Sequence, residues 1–62
     1  MQPKTYFVKR LGVDTHCYKL EDALALYNQM KPFCSDIAVE EYNHTTGKCK
    51  LIRHKGEYFK NI

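Results

Sequence analysis

The chain has 62 residues, of which 44% are hydrophobic and 27% are charged, and its formal net charge is +3. This length and mixture exclude two independent domains and a disordered tail, and no apolar run approaches the roughly 20 residues that a transmembrane helix needs. We therefore expect residues 1–62 to form one small domain. Because residues 1–4 lack the apolar segment of a secretion signal, we expect a cytoplasmic location.

The positive charge is concentrated in the last quarter of the chain. Residues 1–47 carry five Lys or Arg and six Asp or Glu, a net charge of −1, whereas residues 48–62 carry five Lys or Arg and one Glu, a net charge of +4. A basic segment of this kind favours an acidic partner surface or a phosphate backbone. The last quarter is therefore the first candidate for a binding surface.

The beginning of the chain predicts two strands. Residues 5–11 are rich in β-branched and aromatic types, which favour a strand. Residues 12–14 have the composition of a turn. Residues 15–19 predict a second, short strand that pairs with the first.

A helix is predicted to follow these strands. Apolar residues recur at spacings of three and four, which indicates one buried helix face: Leu20, Ala23, Leu24, Tyr27 and Met30. Lys19 occupies the N-cap position without a side chain that accepts a hydrogen bond, so we expect a weak cap. Pro32 disfavours a helical conformation at the residue before it, which places the end of the helix near residue 30.

The second half of the chain predicts a hairpin. Alternating hydrophobicity returns at residues 37–42, residues 43–47 form the connection, and residues 48–54 form the next strand. Residues 57–59 could add a short fifth strand. The order β-β-α-β-β predicts a two-layer α+β fold, in which an antiparallel sheet of four or five short strands carries one helix on one face.

Strict alternation along the strands assigns each residue to a face of the sheet. We expect the side chains of the shared core to be mostly buried: Leu20, Leu24, Tyr27, Ile37, Val39 and Leu51. One helix covers one face only, so we expect the other face to be open to solvent or to a partner. That face is predicted to carry Glu40, Tyr42, Lys48, Lys50, Ile52 and His54.

The sequence contains no pattern that favours an enzyme. His16 lies beside Cys17, but neighbouring strand residues point to opposite faces, so we expect an exposed His16 and a buried Cys17 rather than an activated thiol. The adjacent carboxylates at positions 21–22 and 40–41 fit a helix start and a solvated strand. We therefore expect a non-enzymatic protein without a cofactor.

The cysteines, Cys17, Cys34 and Cys49, are odd in number and widely spaced. They cannot all pair within one chain, and the sequence lacks the closely spaced ligand pairs that are typical of structural zinc sites. We expect reduced thiols and no metal.

Basic and aromatic side chains interleave in residues 48–60. The lysines and Arg53 can neutralise phosphates, while Tyr58 or Phe59 can stack on bases. The alternative is a solvated amphipathic hairpin whose lysines keep the sheet edge from aggregating. A net charge of +3 is small for a dedicated nucleic-acid binder.

The segment from residue 16 to residue 42 resembles a pattern of very small bacteriophage-encoded proteins. It consists of a strand, a helix that begins Leu20-Glu21-Asp22-Ala23-Leu24, and the strand Ile37-Ala38-Val39. One family with this pattern is the short inhibitor of bacterial RNA polymerase made by short-tailed coliphages. The resemblance covers under half of the chain, and the basic hairpin after the helix departs from that family, so no functional residue carries over. It implies a small phage or mobile-element protein that binds a host macromolecule in the host cytoplasm.

These observations predict a binding module that docks on a host protein with an acidic surface and modulates it. The alternative is a small nucleic-acid-binding domain that uses the basic hairpin, and a homodimer also stays open. We expect no membrane partner. The predicted contact residues are the cations and histidine of the hairpin, two cations of the first strand and one tyrosine: Lys48, Lys50, Arg53, His54, Lys55, Lys9, Arg10 and Tyr42.

Overall fold

The computed structural model describes residues 3–60. Within this part the regular elements are, in chain order, β1 (Lys4–Arg10), β2 (Val13–Cys17), α1 (Leu20–Met30), β3 (Ile37–Asn43) and β4 (Lys48–Lys55). A 3-10 turn, Lys31–Phe33, follows α1. The predicted α+β fold, an antiparallel sheet with a helix packed on it in the order β-β-α-β-β, is confirmed.

The sheet places β1 and β3 at its centre and β2 and β4 at its edges. Its order is β2-β1-β3-β4, and every neighbouring pair is antiparallel. Val8 lies opposite Val39 across the central pair, and both belong to the core beneath α1. Alternation from this pair defines a helix face, which includes Val8 and Val39, and an open face, which includes Phe7, Lys9 and Glu40.

The first hairpin is tighter than its sequence suggests. Arg10 pairs with Val13, so Leu11 and Gly12 alone form the turn and β2 ends at Cys17. Gly12 has a φ of +81°, and positive φ at the second central residue, as in a type II turn, is a conformation that glycine adopts without strain. The strand predicted at residues 15–19 is therefore two residues too far along the chain.

The second hairpin turns at the predicted place. The side-chain Oδ1 of Asn43 accepts hydrogen bonds from the backbone nitrogens of Thr45 and Thr46, at 2.8 and 3.2 Å. Gly47 completes the turn with a φ of +73°, and its nitrogen donates to the carbonyl oxygen of Asn43 at 2.7 Å. Asn43 thus satisfies three backbone donors and fixes where β4 begins.

Helix α1 begins and ends where the sequence predicts. Lys19 is extended and forms no side-chain cap, as expected, and Pro32 lies in the 3-10 turn that ends the helix. The carboxylates of Glu21 and Asp22 lie in the first turn, where they complement the helix dipole. Residues 3–60 contain no helix that is long and apolar enough to cross a membrane.

The core lies between α1 and the helix face. Its buried members are Val8, Ala23, Tyr27, Ile37 and Val39. Burial of Tyr27, Ile37 and Val39 is as predicted. Ala23 is the fully buried residue of the helix, and its small side chain allows α1 to approach the sheet closely.

Three predicted core residues are less buried than expected. Leu20, the first residue of α1, keeps 37% of its surface exposed, so its assignment to the core is wrong. Leu24 is half-buried and packs against the core from its border. Leu51 is also half-buried, and it lies on the open face opposite Glu40.

Residues 56–60, which follow β4, fold back on the sheet without forming a strand. Residues 57–59 form a turn, so the predicted fifth strand is absent from the part of the chain described here. The backbone nitrogen of Tyr58 donates to Oδ1 of Asp36 at 3.0 Å. Phe59 is 4% exposed and lies outside the core beneath α1.

Candidate binding surfaces

A β-bulge in β4 changes which side chains share a face. Val39 pairs with Arg53, whereas the next residue, Glu40, pairs with Leu51, so Ile52 is an extra residue in the ladder. Two residues of β4 therefore lie against one residue of β3, and the alternation shifts by one position beyond this point. Ile52 itself packs against the core.

The bulge gathers the four cations of β4 on the helix face. Before the bulge, Lys48 and Lys50 pair with Asn43 and Glu41; after it, Arg53 and Lys55 pair with Val39 and Ile37. We call Lys48, Lys50, Arg53 and Lys55 the basic edge. Helix α1 packs mainly over β1, β2 and β3, so the basic edge extends beside the helix and all four residues are exposed.

The prediction that Lys48, Lys50, Ile52 and His54 share the open face is wrong, because it assumed unbroken alternation. His54 does lie on the open face, opposite Ala38. Its neighbours of β4 on that face are Cys49 and Leu51 rather than the lysines. The bulge thus separates His54 from the cations with which it was grouped.

The four side chains of the basic edge differ in the hydrogen bonds that they already form. Nζ of Lys55 donates to the carbonyl oxygens of Lys31 and Cys34, at 2.6 and 3.0 Å, so Lys55 fastens the turn after α1 to the sheet. Nη1 of Arg53 donates to the neighbouring carbonyl of Ile52 at 2.9 Å. Lys48 and Lys50 are the most available cations of the basic edge.

The two cations of β1 are not part of this surface. Nζ of Lys9 lies 3.1 Å from Oε1 of Glu40 on the open face, and Nη2 of Arg10 donates to Oγ1 of Thr15 at 3.0 Å on the helix face. Strand β3 separates β1 from β4, which places their backbones about 10 Å apart. The predicted cluster therefore divides into the basic edge and two cations held within the sheet.

Glu40 is a buried charge in the middle of the open face. It is 3% exposed and lies between Phe7 of β1 and Leu51 of β4. The hydrogen bond from Lys9 to this carboxylate raises the pKa of Lys9, against the opposing effect of its own burial. Oε2 of Glu40 is buried and has no hydrogen-bond partner among residues 3–60. The interpretation of this position as part of a solvated strand is wrong.

Tyr42 lies on the open face, as predicted, and is half-buried. Its ring packs edge-to-face on His44 with centroids 4.8 Å apart, and Nε2 of His44 is hydrogen-bonded to Oγ1 of Thr5 at 2.6 Å. Phe7 and His16 form a similar pair at 4.6 Å. The rings of these two pairs and the basic edge therefore occupy opposite faces of the sheet.

The thiols are arranged as packing and surface groups. His16 and Cys17 point to opposite faces, as predicted, since they pair with Phe7 and Tyr6. Burial raises the pKa of the Cys17 thiol, with a smaller contribution from Asp22. In the described part of the chain the three cysteines are free, and no three His, Cys, Asp or Glu side chains converge on a metal position.

A cleft of about 490 Å³ opens beside the turn between β1 and β2. Its lining residues are Lys9, Arg10, Leu11, Gly12, Asp14, Tyr58 and Phe59. Tyr58 is 66% exposed and packs edge-to-face on Phe59 with centroids 4.9 Å apart. Because Phe59 is buried, its assignment as a base-stacking ring is wrong, whereas Tyr58 is accessible.

Comparison of the chain with known protein families, with curated proteins and with solved structures gave no match. A functional argument for this chain therefore depends on the geometry and charge of its surfaces. The surface that combines exposure, one sign of charge and an uncovered strand is the basic edge.

Proposed function

We propose that this chain is a non-enzymatic binding module that docks on a protein with an acidic surface. The phage-like helix region extends the proposal: a phage or mobile element encodes the chain, and it binds and modulates a host protein. The observation that carries the proposal is the bulge at Ile52, which turns four cations of one exposed strand to the same side.

Charge complementarity supports a protein partner with acidic residues. Among the carboxylates paired with β4, Glu41 lies opposite Lys50, and it is already held by Lys4 at 3.5 Å. The remaining positive charge of the basic edge is exposed and can speed the encounter with an acidic surface. Lys48 and Lys50 are its main contact residues, with Arg53 beyond the bulge. His54 and Tyr42 lie on the open face, so a partner would contact them only by extending around the edge strand.

A nucleic-acid partner is the second candidate, and the row of cations along β4 favours it. The rings that could stack on bases are Phe33, which is 82% exposed in the turn that Lys55 fastens, Tyr58 beside the cleft, and Tyr42 and Phe7 on the open face. On the open face Lys9 is paired with Glu40, and Asp14 adds a negative charge. Tyr42 and Phe7 lie on the face opposite Lys48 and Lys50, and Phe33 and Tyr58 lie near the other end of β4. These rings are therefore separated from the two free lysines, which favours protein over nucleic acid.

Affinity capture from bacterial lysate tests the proposal. The immobilised chain is compared with the double variant Lys48→Glu with Lys50→Glu, in the presence and absence of nuclease. A matched control, Lys19→Glu with Lys60→Glu, makes the same change in net charge at exposed positions away from the basic edge. All three chains are checked for folding by circular dichroism.

We expect the protein to be captured equally well after nuclease treatment. Its binding to the double variant Lys48→Glu with Lys50→Glu (the β4 variant) should be at least tenfold weaker than to the parent, about 1.4 kcal/mol, whereas its binding to the control should not change. The difference should shrink in high salt where charge acts by steering. Loss of capture after nuclease treatment would favour the nucleic-acid candidate. Equal capture by the β4 variant and the parent would refute the assignment of the basic edge.

A further inference from the structure

Among residues 3–60, strand β4 is a free edge of the sheet. It is the last strand in the order β2-β1-β3-β4, it has eight residues, and its side chains are mostly exposed. An edge strand of this kind leaves backbone N–H and C=O groups on its outer side without a ladder partner. An extended chain that pairs with these groups would complete the sheet on that side.

The lysines of β4 determine which kind of extended chain can pair with its outer side. If two copies of the protein paired through β4 on the same face, their basic edges would lie side by side, and like charges opposite one another destabilise a strand pair. A segment with carboxylates at the same positions has the opposite effect. The basic edge therefore disfavours pairing with a second copy of this strand and favours an acidic segment.

The other edge of the sheet offers no such selection. Strand β2 has five residues, and the charged residue in it is Asp14. An acidic segment would therefore meet a like charge at β2 and four opposite charges at β4. Binding of an acidic segment at β4 can therefore be compared with binding at β2 within the same molecule.

From this juxtaposition we infer that an acidic, extended segment of a protein partner adds to β4 as a further antiparallel or parallel strand. The inference rests on the proposed function and specifies its mode of binding. The ladder forms along residues 48–51, because the bulge at Ile52 interrupts the regular strand beyond them. Carboxylates at alternate positions, about 6.7 Å apart, face Lys48 and Lys50, and a further one reaches Arg53.

A synthetic peptide of eight residues, with glutamate alternating with valine, is the probe. A peptide of the same composition with its glutamates in one block has the same charge and the wrong spacing. Binding is measured by NMR titration, and hydrogen exchange of the backbone amides is followed in the complex. The protein variants are again Lys48→Glu with Lys50→Glu and the control Lys19→Glu with Lys60→Glu.

Strand addition predicts that the alternating peptide slows exchange at least tenfold for those amides of residues 48–51 that point away from β3. Exchange in β2 should not change. The β4 variant should bind the alternating peptide at least tenfold more weakly than the parent and the control variant. The block peptide should bind more weakly than the alternating one and protect no outward amide.

Four results would overturn the inference. These are binding without amide protection, protection at β2, no binding at about 1 mM peptide, and tighter binding of an oligothymidylate to the same residues. The first leaves the proposed function intact if capture from lysate still depends on Lys48 and Lys50, because side chains alone then make the contact. Unchanged capture by the β4 variant removes the proposed function itself.

Discussion

Removing Lys9 should destabilise the protein more than removing any of the exposed lysines. Lys9 compensates the charge of Glu40, which is 3% exposed in the middle of the open face. The variant Lys9→Met keeps most of the apolar stem and deletes only the ammonium. It leaves the carboxylate buried between Phe7 and Leu51 without its counter-charge.

The magnitude follows from the geometry of the pair. At the 3.1 Å separation of Nζ and Oε1, the direct attraction is about 5 kcal/mol with an effective dielectric constant of about 20. Desolvation of both groups offsets part of this, and breaking a buried pair typically costs about 3–5 kcal/mol. Because Lys9 keeps 30% of its side chain exposed, we expect the lower end, about 3 kcal/mol. A chain of 62 residues has a total stability of roughly 3–9 kcal/mol, so this loss is a large fraction.

A double-mutant cycle measured by urea unfolding checks this value. Glu40→Leu alone should cost only about 1 kcal/mol, since the remaining ammonium of Lys9 can turn to water. The double variant Lys9→Met with Glu40→Leu should lie within about 1 kcal/mol of the parent, because an apolar pair of similar volume can replace a buried ion pair. A Lys9→Met variant that loses less than about 0.5 kcal/mol would refute the reasoning. If Lys9→Met does not fold, the double variant should still fold, and an unfolded double variant would refute this explanation of the Lys9–Glu40 pair.

Three further predictions concern single groups. The pKa of Lys9 is raised in the folded protein, so the stabilising effect of the Lys9 ammonium should be complete below about pH 10.5 and should be lost as the pH rises through the pKa of Lys9 in the folded protein. Between pH 8 and pH 11 the melting temperature should therefore fall more for the parent than for the double variant Lys9→Met with Glu40→Leu. Cys49, which is exposed, should be alkylated by iodoacetamide faster than Cys17, whose burial raises its pKa, and equal rates measured by mass spectrometry would contradict this. Lys19→Asp should stabilise the protein by about 1 kcal/mol in thermal unfolding, because Lys19 is extended at the N-cap and forms no cap; an unchanged melting temperature would argue against it.

The elements were predictable from local sequence because their signals are local. The spacing of apolar residues and Pro32 gave both ends of α1, and Asn43 with Gly47 gave the second hairpin. The first hairpin was misplaced because Gly12 and Asp14 both favour turns, and only the pairing of Arg10 with Val13 decides between them.

The surface was harder to predict than the fold. The bulge at Ile52 carries no glycine or proline that would mark it, and it moves every later residue of β4 to the other face. The burial of Glu40 arises from side chains on two different neighbouring strands, Phe7 and Leu51, and so depends on register. A signal was present in the sequence: Glu40 belongs to a strand whose first four residues are otherwise apolar, which is typical of a central rather than an edge strand.

The strand order also constrains how the chain folds. Each outer strand pairs with its sequence neighbour through a short turn, whereas β1 and β3 are brought together only when α1 has crossed the sheet. Isolated hairpins form within microseconds, and contacts between distant parts of a chain form more slowly. We therefore expect the meeting of two preformed halves along the Val8–Val39 contact to limit the refolding rate. In stopped-flow experiments Val39→Ala should slow refolding, because it weakens the contact that forms when the two halves meet. Gly47→Ala strains a turn that forms early, so it should slow refolding by destabilising the β3–β4 half before the two halves meet.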